Sequence, residues 1–181
     1  FLFIVGMSVP FAISSRLAKG DSFVQLQKHI LFRTLGLLVL GFFMVNAEEG
    51  MDEAATGISL NLWSLLFFAA VIIIWKVYYS TIKETVLILK AIGIAGLFAL
   101  ALVYRGQNGE TVSPHWWGIL GLIGWAYFYA CIIYQLSKGN TWLILFSICL
   151  CTIWYAAGHS QYVTDSALLH WIAAQSSNAA H

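Results

Sequence analysis

Six long runs of apolar residues divide this chain, and they decide what it can fold into. A backbone in lipid has no water to bond, so its N–H and C=O groups must pair within the segment, which favours helices. We therefore predict an all-α fold, a polytopic transmembrane helix bundle that forms a single domain over residues 1–181. The six membrane segments are residues 1–14, 30–45, 60–75, 86–104, 116–136 and 141–157.

Composition supports a membrane protein. Hydrophobic residues make up 60% of the chain and charged residues only 9%, whereas a soluble domain carries about 25% charged residues. A nucleic-acid partner would need Lys and Arg clustered on one face, and the sequence has no such cluster, so we expect membrane lipid as a partner and no nucleic acid. The three cysteines lie in apolar runs without a CxxC pair, which predicts buried, inert thiols and no metal site: Cys131, Cys149 and Cys151.

Charge alternates in sign along the connections between segments. Arg105 is the one basic residue in the even-numbered connections, which also hold six acids, and the other eight of the nine basic residues lie on the opposite side. By the positive-inside rule, the basic side is cytoplasmic. Loops 46–59, 105–115 and 158–181 are then extracytoplasmic, as is any residue that precedes Phe1.

The first segment is too short to span a bilayer. Its 14 residues rise only about 21 Å, against a hydrocarbon thickness of about 30 Å. No basic region precedes it, which argues against a signal peptide. We expect a transmembrane helix that begins ahead of Phe1, and a similar truncation at the C-terminus stays open.

Turn and packing residues suggest where two helices begin and end. Ser113-Pro114 is typical of a helix start, with an N-cap residue followed by proline at the first position. Gly158 is a candidate for the end of the sixth segment. The glycines at 118, 121 and 124 permit close helix approach, and no strand precedes them to make a phosphate loop.

Arg33 and Asn46 are the first two candidates for a functional role. Arg33 is predicted at the cytoplasmic start of the second segment, where it either extends to the lipid headgroups or clamps a phosphate. Asn46 is predicted to end that segment on the outer side, and it could instead donate a hydrogen bond to a carbonyl oxyanion. Asn61 lies near the same outer face and is, with Asn46, a candidate polar residue on the substrate side, although an interhelical hydrogen bond is the more typical role.

Two histidines are weak catalytic candidates. His115 and His159 are both predicted at the outer ends of helices and could accept a proton near neutral pH. Interfacial histidines without chemistry are the commoner case, and a separation of 44 residues fits no metal motif. The acidic run at residues 48–53 is typical of a solvated loop, although it could attract a cationic amine.

The first 46 residues resemble a known family. The stretches FLFIVGMS, AISSRLAKG and KHILFRTLGLLVLGFFMVN are similar to the second and third helices of the heparan-α-glucosaminide N-acetyltransferase family of multipass acyltransferases. The matching features are FxFIxG, a basic loop, an Arg that opens a helix, and Gly41 with Val45-Asn46 at its end. After that helix the family has an Arg-Ile-Pro-Gly-Val-Leu-Gln-Arg-like stretch, whereas this chain has ISLNLWSL at residues 58–65.

The resemblance implies a function. Members take acetyl-CoA from the cytoplasm and deliver the acetyl group to an amino sugar on the far side. A histidine just ahead of the FxFIxG helix carries the transfer, so the catalytic residue is expected before Phe1. Arg33 and Asn46 match family positions, and phosphate binding by Arg33 is our hypothesis. The resemblance also implies that this chain belongs to a divergent bacterial branch of the family and is located in the inner membrane.

Three functions are therefore considered. The first is an acyltransferase that moves an acetyl or acyl group from cytoplasmic acyl-CoA to the amine or hydroxyl of an extracytoplasmic sugar or glycan, without a metal. The second is a transporter-like bundle, although no intramembrane acid is present to couple ions. The third is a non-catalytic subunit that assembles through the glycines at 118–124, and a homo-oligomer is left open.

Overall fold

The fold is helical throughout the part of the chain that the computed structural model describes, which is residues 2–78, 83–115 and 117–158. This confirms the all-α prediction. The helices are α1 (Leu2–Ala18), α2 (Phe23–Glu49), α3 (Glu53–Thr56), α4 (Leu60–Trp75), α5 (Lys83–Val103), α6 (Gly118–Ser137) and α7 (Thr141–Gly158).

Six of these helices correspond to the six apolar segments. Three of them, α2, α5 and α6, are long and apolar enough to cross a membrane. The apolar stretches of α1, α4 and α7 are shorter. Helix α3 is a single turn that the sequence pattern did not indicate, begun by the Asp52 carboxylate, which accepts from the N–H groups of Ala54 and Ala55.

Helix α2 begins earlier than predicted because Ser22 caps it. The backbone N–H of Ser22 donates to Gln25 Oε1 at 2.7 Å, and the N–H of Gln25 donates to Ser22 Oγ at 3.3 Å. This reciprocal pair is a capping box, which satisfies two N–H groups that a helix start leaves open. The helix therefore starts at Phe23, and the prediction that Arg33 opens it is wrong.

Helix α6 begins later than predicted. His115 and Trp117 have φ angles of 42° and 66°, in the left-handed region that a right-handed helix does not use. The N–H of Ser113 is hydrogen-bonded to a side chain of α2. The expected start at Ser113-Pro114 is thus wrong, and α6 starts at Gly118. Helix α7 includes Gly158, and because the residues that follow lie outside the described part of the chain, the helix end at Gly158 stays a prediction.

The chain forms two compact units, each with its own core. Unit 1 comprises residues Phe1–Leu37 and Leu122–His181, and unit 2 comprises Leu38–Gly121. In the described part of unit 1, the core joins α1, α2 and α6 through six side chains: Val9, Ile13, Leu26, Ile30, Tyr127 and Cys131.

The core of unit 2 is built around Trp63. Its ring lies 5.5 Å from that of Phe43 and 5.3 Å from that of Phe67. The side chain is fully buried, and the indole N–H donates to the carbonyl of Leu100 at 3.1 Å. This contact joins the start of α4 to the end of α5 and fixes the two helices as an antiparallel pair.

Close packing in unit 2 uses the glycines of α6, as their spacing predicted. A Cβ on Gly118 would lie 2.5 Å from Val45 Cγ2, and a Cβ on Gly41 would meet the backbone of Gly121. Helix α2 of the same chain therefore packs directly against Gly118 and Gly121. This removes both residues from the assembly face considered for a non-catalytic subunit.

Candidate functional site

Asn46 lies at the centre of a polar network at one end of unit 2. Its side chain is 0% exposed. Its amide nitrogen donates to the carbonyls of Phe42 and Ser113, at 2.7 and 2.8 Å, and its amide oxygen accepts from the Ser113 N–H at 3.0 Å. Both amide hydrogens, one of which was suggested for an oxyanion, are thus already used: one bonds within α2, and the other ties α2 to the segment ahead of α6.

Tyr104 completes this network, a role that its sequence setting did not indicate. Its hydroxyl donates to the backbone carbonyl of Asn46 at 2.7 Å, and the carbonyl of Gly50 lies 3.2 Å from the same oxygen and shares that hydrogen. Burial raises the pKa of Tyr104, with Glu110 and Glu49 adding to the effect, so the hydroxyl stays protonated and able to donate. A tyrosine just after an apolar run is typical of an interfacial residue, which concealed this role.

The same end of unit 2 holds the connections between helices. Thr56 Oγ1 accepts from the N–H of Arg105 at 3.1 Å, and the N–H of Asp52 donates to the carbonyl of Arg105 at 2.9 Å. Asn61 lies exposed at the second position of α4, and His115 lies exposed two residues after Ser113. The structure thus brings three of the predicted residues, Asn46, Asn61 and His115, to one end of one unit.

Carboxylates dominate this end. We call it the acidic end, defined by Glu48, Glu49, Asp52, Glu53 and Glu110, with Arg105 as its basic residue. The Arg105 guanidinium donates to the backbone carbonyls of Leu102 and Tyr104. The Glu53 carboxylate accepts from the N–H of Leu60 at 2.8 Å, so it stabilises the start of α4.

A small open groove lies beside this network. Its volume is about 50 Å³, which corresponds to one or two water molecules. It is too small for a sugar, and apart from one carboxylate its lining is apolar or backbone: Gly41, Met44, Val45, Glu48, Gly118, Ile119 and Leu120.

One end of unit 1 is basic. The side chains of Gln27 and Gln135 are hydrogen-bonded, which brings the start of α2 beside the end of α6. Arg16 and Asp21 form a salt bridge of 2.8 Å between the end of α1 and the loop that follows. We call this the basic end, and three exposed lysines there have no carboxylate within 4.0 Å among the described residues: Lys19, Lys28 and Lys138.

Arg33 lies apart from the other candidates, in unit 1. It is ten residues beyond Phe23, which places it about 15 Å along α2. Its guanidinium carbon lies 5.4 Å from the centre of the Tyr127 ring, within the range of a cation–π contact. The side chain is exposed, but it is not at the start of the helix.

Three predictions remain, and they concern His159, a metal site and the cysteines. His159 lies outside the described residues. No group of three metal-ligating side chains occurs in the part of the chain described. The prediction of buried thiols is confirmed for Cys131 and is wrong for Cys149, which is exposed on α7, while Cys151 is half-buried.

Comparison with known proteins gives one family. Residues 1–178 match the model of DUF5009, a domain of unknown function. The chain belongs to the DUF5009 family. No curated protein and no solved structure matches this DUF5009 chain.

Proposed function

We propose that this DUF5009 protein is a membrane acyltransferase that binds acyl-CoA at its basic end and transfers the acyl group to a sugar or glycan on the opposite side. The observation that carries the proposal is a set of three exposed lysines at the basic end, Lys19, Lys28 and Lys138, which have no carboxylate within 4.0 Å in the described part of the chain. Coenzyme A presents several phosphate charges, and lysine binds phosphate as a point charge. The resemblance of residues 1–46 to membrane acetyltransferases supports the same chemistry.

The position of Arg33 changes its proposed role. Phosphates of a water-soluble donor reach the ends of transmembrane helices, and Arg33 lies almost three turns inside α2. We therefore assign phosphate binding to the three lysines. Arg33→Gln serves as a separate variant, because it removes a charge that lies away from the helix ends.

Replacing Lys19, Lys28 and Lys138 together with glutamine is expected to weaken acetyl-CoA binding at least about tenfold, which is about 1.4 kcal/mol. The full protein is placed in nanodiscs of neutral phosphatidylcholine and titrated calorimetrically. A control replaces two lysines outside the basic end, Lys76 and Lys83, which flank the connection between α4 and α5 in unit 2. We expect the control and Arg33→Gln to change affinity less than about twofold.

Three results would contradict this assignment. Acetyl-CoA that fails to bind the wild-type protein removes the proposed donor. An equal loss in the triple variant and its control shows a general effect of charge rather than a site. A loss confined to Arg33→Gln moves the phosphate contact to Arg33.

We also propose that all six apolar helices, α1, α2 and α4–α7, cross the membrane. The basic end then faces the cytoplasm and the acidic end faces outward. The acidic residues of unit 2 are gathered at one end, which supports this orientation. By the positive-inside rule the loops rich in lysine and arginine face the cytoplasm, so the end that holds the acids faces outward. The short helices α4 and α7 can span a bilayer that thins locally around them.

A chain that crosses the membrane six times and one that crosses it three times expose different loops to a reagent added from outside. Single cysteines are introduced at Lys19, Ala54, Val77, Asn108 and Lys138 after the native cysteines are replaced, and are labelled with a membrane-impermeant maleimide. If six helices cross, only Ala54 and Asn108 are labelled from outside. If only α2, α5 and α6 cross, Ala54, Val77 and Lys138 are labelled and Asn108 is not. That second pattern would overturn the proposal.

A further inference from the structure

Lys28 lies where α2 enters the membrane. Helix α2 is among the helices that are long and apolar enough to cross a bilayer. Its 27 residues rise about 40 Å, which exceeds the hydrocarbon thickness of about 30 Å. The polar residues of its first two turns fall in this excess length: Gln25, Gln27, Lys28 and His29. The ammonium group of Lys28 is therefore level with the lipid headgroups.

The surface of α2 that carries Lys28 faces away from the core of unit 1. Residues that are three and seven positions apart share a helix face, so Leu31 and Leu35 form one stripe with Lys28. The two leucines are 47% and 53% exposed, and Lys28 is exposed as well. Leu26 and Ile30, only 3% and 1% exposed, mark the buried face on another side of the helix. No described part of the chain covers the stripe.

The charged and apolar groups of this stripe lie at different depths. Leu31 and Leu35 follow Lys28 by three and seven residues, which places them about 4.5 and 10.5 Å deeper along the helix. These depths lie within the hydrocarbon layer, whereas Lys28 lies at the level of the phosphates. A cation with apolar side chains beneath it matches the order of groups in a phospholipid.

The charge of Lys28 favours an anionic phospholipid. Lys28 has no carboxylate within 4.0 Å among the described residues, and a lysine near an anionic membrane surface strengthens binding about fivefold. The other two lysines of the basic end, Lys19 and Lys138, lie in turns after helix ends. No helix face continues from them into the membrane, so Lys28 is the lysine of this end that combines both kinds of contact.

We propose that Lys28, Leu31 and Leu35 form a binding site for an anionic phospholipid, with the lysine on the phosphate and the leucines on an acyl chain. The proposed acyl-CoA site uses the phosphate affinity of the same lysine. Competition between the lipid and acyl-CoA is a consequence that rests on the proposed function. Anionic lipid would then lower donor affinity, so membrane composition would regulate the donor site.

Native mass spectrometry of the detergent-solubilised full protein tests the lipid preference. The protein is titrated with phosphatidylglycerol and with phosphatidylcholine of the same acyl chains. We expect phosphatidylglycerol to bind at least about fivefold more tightly, the factor that one lysine contributes. Lys28→Gln should reduce this preference below about twofold. Lys138→Gln, a lysine of the same end that lies in a turn, is the matched control and should retain it.

The leucines distinguish a lipid from a soluble phosphate. Leu31→Ala combined with Leu35→Ala should weaken binding of both lipids at least about threefold and leave acetyl-CoA binding unchanged. The matched control combines Leu62→Ala and Leu65→Ala, at two exposed leucines of α4, and should change neither. Glycerol 3-phosphate, a headgroup without acyl chains, should not displace the bound lipid.

Competition is measured by titrating acetyl-CoA into nanodiscs with and without phosphatidylglycerol. An anionic surface repels acetyl-CoA from any protein, so the wild type is compared with Lys28→Gln. We expect phosphatidylglycerol to weaken acetyl-CoA binding at least about twofold more in the wild type than in the variant. An equal loss in both proteins would contradict competition at Lys28.

The lipid site and the proposed function fail in different ways. Equal binding of the two lipids to the wild type would overturn the lipid site, as would a phosphatidylglycerol preference that persists in Lys28→Gln. If acetyl-CoA does not bind the wild type, the proposed function fails. A lipid preference that is lost in Lys28→Gln would still support the lipid site in that case.

Discussion

Gly41→Ala is expected to destabilise the protein by about 3 kcal/mol, the upper part of the range for overpacked cores. The added Cβ would lie 2.7 Å from Gly121 Cα and would also overlap the N atom of Gly121 and the carbonyl oxygen of Trp117. All three neighbours are backbone atoms, which cannot rotate away as a side chain does. The loss appears as a lower midpoint of unfolding for the detergent-solubilised protein.

Gly96→Ala is the matched control, because Gly96 is also a helical glycine of unit 2. Its added Cβ would meet only Ala70 Cβ, at an ordinary contact distance of 3.9 Å. Alanine favours helix over glycine by up to about 1 kcal/mol, so this variant should be as stable as wild type or slightly more so. If the two variants unfold alike, α2 and α6 are not in close contact at Gly41.

Asn46→Ala is expected to cost about 3 kcal/mol, since the substitution leaves the N–H and the carbonyl of the half-buried Ser113 without their partner and removes a fully buried amide. The segment from Ser113 to Gly118 would lose its attachment to α2. Thermal unfolding and protease cleavage within that segment both report the change.

Asn61→Ala provides the comparison for Asn46. Asn61 is exposed at the start of α4, and exposed substitutions usually change stability by less than about 0.5 kcal/mol. A stable Asn46→Ala protein with lost acyl transfer would show that Asn46 acts on substrate rather than on the fold.

Apolar length made the main elements predictable. Six hydrophobic runs predicted six helices, and the helices α1, α2 and α4–α7 occupy those positions. Their ends were less predictable where polar side chains decide them. The capping box at Ser22 and Gln25 extends α2 by two turns into a stretch that contains Gln25, Gln27, Lys28 and His29, which hydrophobicity alone places outside the helix.

The candidate residues show the same division. Asn46 and Asn61 have similar sequence settings, at the outer end of an apolar run, yet one is fully buried with three hydrogen bonds and the other is exposed. The difference depends on Ser113, 67 residues away. No local pattern could have identified that partner.

The sequence by itself determined that this chain is helical, apolar and segregated by charge, because each of these follows from the composition of single segments. Tertiary structure alone decided which polar groups are free. It tied Asn46 to Ser113, placed Tyr104 over the end of α2, and set Arg33 level with the middle of α6. The physical reason is that hydrogen bonding and depth are relations between helices, and a hydrophobic pattern specifies each helix separately.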